Sequence, residues 1–229
     1  MKEKRTLDFD SLPELNGMDV FIRLDTDLDA KLKKDATFQE VYERSQSALM
    51  FICGTNAEDE AWRNAARLRA GLNEFYSLED AAKRDCKRNC IKEKPVKIHD
   101  SKNPLVHLMY LLRHVNVHAQ VSNTRVHQTS VISTLGGDAH KIDLGAVILD
   151  APTIDQVQRC NEAIDFYNSA DLARATKWID EVQYVFGIGE VFRRGVSAYC
   201  REILMSISSH SQPNPAFERD CAKARSPSI

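Results

Sequence analysis

No stretch of the chain approaches the ~18–20 consecutive apolar residues that a membrane-spanning helix needs. The opening MKEKRTLDFD also lacks the apolar core of a secretory signal. Neither a membrane protein nor an exported one is expected. Net charge is nearly absent: 31 Lys and Arg against 33 Asp and Glu leave -2. No global field therefore draws the chain to nucleic acid, and only a local basic patch can do so. There is no internal repeat and no helix-turn-helix signature, and the helices that would serve a DNA-binding regulator carry apolar stripes instead of basic faces. The six cysteines, with no leader toward an oxidising compartment, read as reduced thiols of a cytoplasmic protein. What is present is ordinary for a globular chain, 43% hydrophobic and 28% charged, which excludes wholesale disorder. The length of 229 residues fits one large domain or a core with an insertion.

The first 35 residues are acidic and broken by Pro13 and Gly17. They are expected as an N-terminal extension with a short strand where Val20, Ile22 and Leu24 alternate. DTDLDAKLKKD after it reads as a solvated charge run. Asp25, Asp27 and Asp29 lack the glycine and distal glutamate of a calcium loop. From Ala36 the period becomes helical through Phe38, Val41, Tyr42, Ser45, Ala48, Leu49 and Ile52, and Gly54 stops it. Thr55 with Glu58 is expected to cap a second helix, with Ala61, Trp62, Ala65, Leu68, Leu72, Phe75 and Tyr76 as its buried stripe. Ser77 with Asp80 marks a further turn or short helix. KRDCKRNCIKEKPVK then carries seven Lys or Arg against two acids and reads as a helix end followed by a loop. Cys86 and Cys90 sit four apart there, but Cys160, Cys200 and Cys221 offer no second pair for zinc, so spare surface thiols are expected.

Asn103 and Pro104 look like an N-cap and first helical position. The helix after them is apolar on nearly every side through Leu112, as a helix surrounded by others must be. It ends in Arg113, His114, Asn116 and His118. The segments 125–134 and 141–149 are rich in β-branched residues and flank Gly136, Gly137 and Asp138, a hairpin signal. Thr153 with Gln156 is a capping-box pattern for a helix to Tyr167. Asp171 to Phe186 continues as helix, Gly187 and Gly189 interrupt it, and a last helix runs through Val191, Val196, Tyr199, Ile203 and Ile207. The expected fold is mostly α: an antiparallel four- to five-helix bundle over residues 36–208, with a hairpin inserted at 125–149 and a flexible tail at 209–229.

Five of the seven histidines lie between positions 99 and 127, and His107, His114 and His118 align on one helix face. A metal site is one reading, but the glutamate of an H-E-x-x-H helix is missing and no neighbouring carboxylate has a ligand role, so no metal is expected. The other reading pairs Arg113 with His118. Histidine titrates near neutrality and can take a proton from a ribose 2′-hydroxyl or give one to a leaving oxygen. Arginine stays charged, and its fork of donors matches a phosphate. His114 and Asn116 would position the substrate. A five-residue offset is about 140° on a regular helix, so the pair converges only if the helix ends there or a second subunit completes the site. The plain structural alternative is a helix end where Arg113 and His118 meet carbonyls and the helix dipole.

NPLVHLMYLLRHVNVHAQ resembles the Arg-x(4–6)-His motif of the HEPN superfamily, which also tends to carry a polar residue directly after the arginine, here His114. The resemblance implies an antiparallel bundle of four or five helices, usually dimeric, with the motif helices of two subunits facing each other. It implies Arg113 and His118 as the catalytic pair of a metal-independent endoribonuclease, with no cofactor. It also implies a toxin–antitoxin or antiviral defence setting, with an antitoxin or defence-system partner. Some members bind RNA or nucleotides without cutting or serve as dimeric scaffolds, which is the alternative here. The motif covers under a tenth of the chain, and the hairpin departs from the minimal bundle. Lys83, Arg84, Lys87, Arg88, Lys92 and Lys94 would form a phosphate track to the cleft, or a solvated helix end and loop.

Overall fold

The computed structural model describes residues 3–12, 24–119, 124–133 and 140–208, without the side chains of residues 53, 117–119, 129, 131–133, 140, 142–144 and 208. The strand expected around Val20 to Leu24 and the tail at 209–229 fall outside the described residues, Leu24 apart, which is buried. The fold is mostly helical, with one inserted antiparallel hairpin. The order is α1 (Thr26–Lys34), α2 (Gln39–Cys53), α3 (Ala61–Arg88), α4 (Pro104–Ala119), β1 (Thr124–Ser133), β2 (His140–Leu149), α5 (Ala151–Arg159), α6 (Asn161–Phe166) and α7 (Ser169–Ser208). No described helix is long and apolar enough to cross a membrane.

The charge run DTDLDAKLKKD keeps its lysines and Asp27 exposed, as a solvated run should, but it is helical. It forms α1, with Leu28 and Leu32 one turn apart and buried, and Leu24 buried just ahead of the helix. Asp27 and Asp29 fall in its first turn and Lys31, Lys33 and Lys34 in its last, the charge order that a helix dipole favours. Residues 3–12 also pack against the bundle. Leu7 joins the core, the Arg5 amide donates to the Phe166 carbonyl (2.8 Å) and the Asp8 amide to the Lys102 carbonyl (2.8 Å).

Helices α2 and α3 form an antiparallel pair tied at both ends. The buried Asp85 carboxylate near the end of α3 accepts the Val41 amide of α2 (3.0 Å). At the other end, Asn64 of α3 accepts the amide of Asn56 in the connecting loop (3.0 Å) and donates to its carbonyl (2.8 Å). The Thr55–Glu58 capping box does not form: α3 begins only at Ala61, and the Glu58 amide is taken by the Asn56 side chain. Ala61 and Trp62 accordingly sit outside the buried stripe, with Trp62 donating to Glu60 on the surface. Ser77 starts nothing new. It donates back to the Asn73 carbonyl inside a continuous 28-residue helix. Cys86 is buried rather than a surface thiol, and desolvation pushes its pKa up.

Helix α4 is the centre of the molecule. Leu105, Val106, Leu108, Met109, Leu111, Leu112 and Val115 are all fully packed. Its start is the expected one, with the Asn103 side chain accepting the Leu105 amide (2.9 Å) ahead of Pro104. Helix α7 comes very close to it at Gly195, where an added Cβ would lie 2.0 Å from the Met109 sulfur. Any side chain at this position would require the Met109 thioether to move.

The hairpin pairs Thr124 with Leu149 through Ser133 with His140. Its root is buried from Ala146 to Leu149. The fully buried Gln183 of α7 stands in for a ladder partner, accepting the Leu149 amide (2.9 Å). Asp150, not a Thr153–Gln156 box, caps α5 by accepting the Thr153 amide (3.0 Å). The expected single helix to Tyr167 breaks at Cys160, whose extended backbone separates α5 from α6.

Helix α7 bends where glycine was expected to interrupt it. Gly187 has φ 79° and ψ 167°, a region essentially closed to side chains, and faces the Val147 carbonyl of β2. Gly187→Ala is expected to cost about 1–3 kcal/mol in urea unfolding. An unchanged midpoint would mean that the bend relaxes without strain.

Candidate active site

The motif residues sit on the C-terminal part of α4, which stays helical through Ala119. The helix end that would have let Arg113 and His118 swing together is therefore not at this point. On this backbone the two positions lie about 140° apart, and one protomer does not present both from a single face. The His118 side chain falls outside the described residues. His114 is half-buried and lies one turn before His118 on the same face. Asn116 is buried, and its amide donates to the Leu112 carbonyl (2.7 Å), so its side chain is engaged with the helix itself.

Arg113 is held differently from the other site residues. Its guanidinium carbon lies 4.3 Å from the centroid of the Tyr76 ring of α3. Tyr76 is stacked in turn on Tyr110, with centroids 6.2 Å apart and planes at 25°, and His99 meets Tyr110 edge-on at 4.6 Å. Arg113 is half-buried, its Nε is fully buried without a hydrogen-bond partner, and no carboxylate neutralises it among the described residues. The sequence pointed to Arg113 but not to its support. Tyr76 reads from spacing as one more buried apolar position, and nothing local marks it as the platform beneath a cation.

His107, one of the three aligned histidines, is structural. It is 1% exposed on the buried face of α4. Its Nε2 lies 2.6 Å from the Ser101 carbonyl and its Nδ1 2.7 Å from the Tyr167 hydroxyl. A carbonyl only accepts, so Nε2 carries the proton and Nδ1 accepts from Tyr167. Tyr167 accepts from Arg5 (2.6 Å), and Arg5 also reaches Glu162, which accepts from the Tyr110 hydroxyl (3.0 Å). Every donor in this chain finds an acceptor. The His107 imidazole is held down to about 4, chiefly by burial and in lesser part by the charges of Arg5 and His99, with the Ser101 bond opposing them.

The basic stretch is largely paired. Lys83 contacts Glu79 and Asp80, Arg84 contacts Glu40, and Arg88 contacts Glu40 and Asp85. All six of its predicted phosphate-binding residues, including Lys87, Lys92 and Lys94, are exposed. Lys83 and Lys87 fall seven and eleven residues after Tyr76, within about 20° of its face and roughly 10 and 16 Å further along the α3 axis. Among the described residues, no group of three or more His, Cys, Asp or Glu is placed to hold a metal ion. No protein-family model, curated protein or solved structure matches the chain.

His107 sets a pH dependence of stability. Unfolded, it titrates near 6.5; folded, near 4. Its contribution is therefore full above pH 6.5 and is lost as pH falls from 6.5 to 4, by about 3 kcal/mol over that window. Urea unfolding at pH 7.5 and pH 4.5 is expected to show this loss in wild type and a shallower dependence in His107→Gln. Equal slopes in the two proteins would contradict the neutral buried imidazole.

Proposed function

We propose that the chain is a metal-independent endoribonuclease that works as a HEPN-like dimer. The observation that carries this reading is Arg113. A half-buried guanidinium with no carboxylate beside it among the described residues, resting on Tyr76, leaves its positive charge for an anion from outside the chain. The phosphate of an RNA backbone fits that role. Lys87 on the same face of α3 supports it as a further contact along the strand.

In the proposed reaction Arg113 clamps the scissile phosphate and steadies the added negative charge of the transition state. The partner subunit's His118 takes the proton of the ribose 2′-hydroxyl, whose oxygen attacks phosphorus. The bond to the 5′-oxygen breaks, that oxygen takes a proton from solvent water as it leaves, and a 2′,3′-cyclic phosphate remains. Completion of each cleft by two protomers answers the 140° offset along α4. His114 positions the substrate on the same helix. Such a nuclease suits a toxin or antiviral setting held in check by a partner protein in a cytoplasmic compartment.

The test uses the purified chain, a panel of single-stranded RNAs and excess chelator. Cyclic-phosphate products are expected from wild type, with losses of about 100-fold or more in Arg113→Ala and His118→Ala. Mixing the two inactive variants is expected to restore about a quarter of the activity, since half the dimers are then mixed and each holds one intact composite site. Mixing without recovery would place both groups in one protomer and sink the shared cleft. RNA that binds wild type, binds Arg113→Ala less well and is never cut would assign the chain to the non-catalytic alternative.

A further inference from the structure

A second arginine is linked to Arg113 by a row of rings. Arg5 belongs to the N-terminal segment, which is tied down around it. Its own amide donates to the Phe166 carbonyl (2.8 Å), Leu7 enters the core, and the Asp8 amide donates to the Lys102 carbonyl (2.8 Å).

The Arg5 side chain lies among three of these rings. Its guanidinium carbon is 4.6 Å from the centroid of Phe166, 5.1 Å from that of Tyr167 and 5.8 Å from that of Tyr110. All three fall inside the ~6 Å over which a cation and an aromatic face attract. The side chain is 16% exposed, as is that of Glu162, which it meets at 3.4 Å. The same Glu162 oxygen accepts from the Tyr110 hydroxyl (3.0 Å). Arg5 therefore reaches Tyr110 twice, once at the ring and once through the carboxylate that holds the hydroxyl. Neither tyrosine needs Arg5 as a place for its proton, since Tyr167 donates to His107 and Tyr110 to Glu162. What Arg5 adds is a fixed position for them.

From Tyr110 the row continues to the candidate site. Tyr110 and Arg113 are one turn apart on α4. Tyr76 of α3 meets both, its ring centroid 6.2 Å from that of Tyr110 and 4.3 Å from the Arg113 guanidinium carbon. The Tyr76 and Tyr110 planes differ by only 25°, so the two rings tilt together or lose their contact. His99 meets Tyr110 edge-on at 4.6 Å. Tyr110 is 8% exposed and turns only by displacing these neighbours. Arg113 has no ion pair among the described residues, so the Tyr76 face is what aims it.

We propose that Arg5 is a positioning residue for Arg113: by pinning Tyr110, at its ring and through Glu162, it sets the Tyr76 face on which the Arg113 guanidinium rests. This role depends on Arg113 being the anion-binding group of the site. Arg5 acts through the rings and touches no substrate.

Two readouts on the full chain test this. One is the Arg113 Nη–H signal in the free protein, assigned by its loss in Arg113→Lys. The other is the affinity for a short 2′-O-methyl RNA that cannot be cut. Arg5→Met keeps the length of the side chain and removes its charge. It is expected to move the Arg113 signal, because the ring current of Tyr76 then acts from a changed position, and to weaken RNA binding about three- to tenfold. Arg5→Lys puts a cation back over the rings and is expected to return most of both. In Arg113→Ala and Tyr76→Leu backgrounds, Arg5→Met is expected to lower the RNA affinity no further, since residues acting in one chain of contacts do not add. Gly187→Ala is expected to lower stability while leaving the Arg113 signal in place. A folded Arg5→Met protein with an unmoved Arg113 signal overturns the proposal. So does an equal loss of affinity with and without Arg113, which would make Arg5 a direct RNA contact or a support of the fold at large. If Arg5→Met fails to fold, Glu162→Gln, which removes the charge between Arg5 and Tyr110, has to move the same signal or the proposal falls. Wild type that binds no RNA removes the phosphate reading of Arg113 instead, and the signal in the free protein still decides whether Arg5 positions it.

Discussion

A helix that is apolar all round can be buried only if its few polar groups are satisfied inside the protein, and in α4 that condition rests on His107. Its two ring nitrogens join the Tyr167 hydroxyl to the Ser101 carbonyl, and Arg5 closes the far end of the chain of bonds. The bonds link the N-terminal segment, α4 and the end of α6. Remove one partner and a buried donor or acceptor is stranded, at a cost larger than the bond itself contributes in net stability. The imidazole has to stay neutral for the same reason.

The elements around α4 follow from giving it close neighbours. Gly195 lets α7 come against Met109, and the bend at Gly187 carries α7 past the root of the hairpin. Gln183 then holds that root through the Leu149 amide. On the other side, Tyr76 of α3 lies under the one end of α4 where the apolar sequence gives out, at Arg113. The outer layer is tied by ion pairs, with Arg193 and Arg201 drawing the start of α1 onto α7 through Asp25.

Much of this was legible in the sequence wherever period and punctuation agree. The apolar run after Asn103–Pro104 read correctly as a central helix with its cap, the β-branched segments as a hairpin, and Gly187 as an interruption. Errors arose where one signal masked another. Seven charges in eleven residues hid the Leu28 and Leu32 stripe of α1. Thr55–Glu58 and Thr153–Gln156 match a capping pattern, but Asn56 and Asp150 hold the amides instead. The three aligned histidines could not reveal that His107 belongs to the interior, because its partners lie 60 positions away at Tyr167 and within the turn at Ser101. Tyr76 beneath Arg113 and the rings around Arg5 are likewise products of tertiary packing that no local spacing encodes.

The functional reading reduces to one electrostatic asymmetry. The buried Arg193 and Arg194 are held by Glu190, whereas Arg113 rests on an aromatic face with its Nε unpartnered. A phosphate at the outer edge of the guanidinium would supply the counter-charge that the fold withholds. The direct measurement is the NMR signal of the Arg113 Nη–H groups, assigned by its loss in Arg113→Lys, during titration with a short 2′-O-methyl RNA that cannot be cut. Engagement of the phosphate is expected to move the signal downfield and slow its exchange with water. A signal that stays in place at saturating oligonucleotide would contradict it.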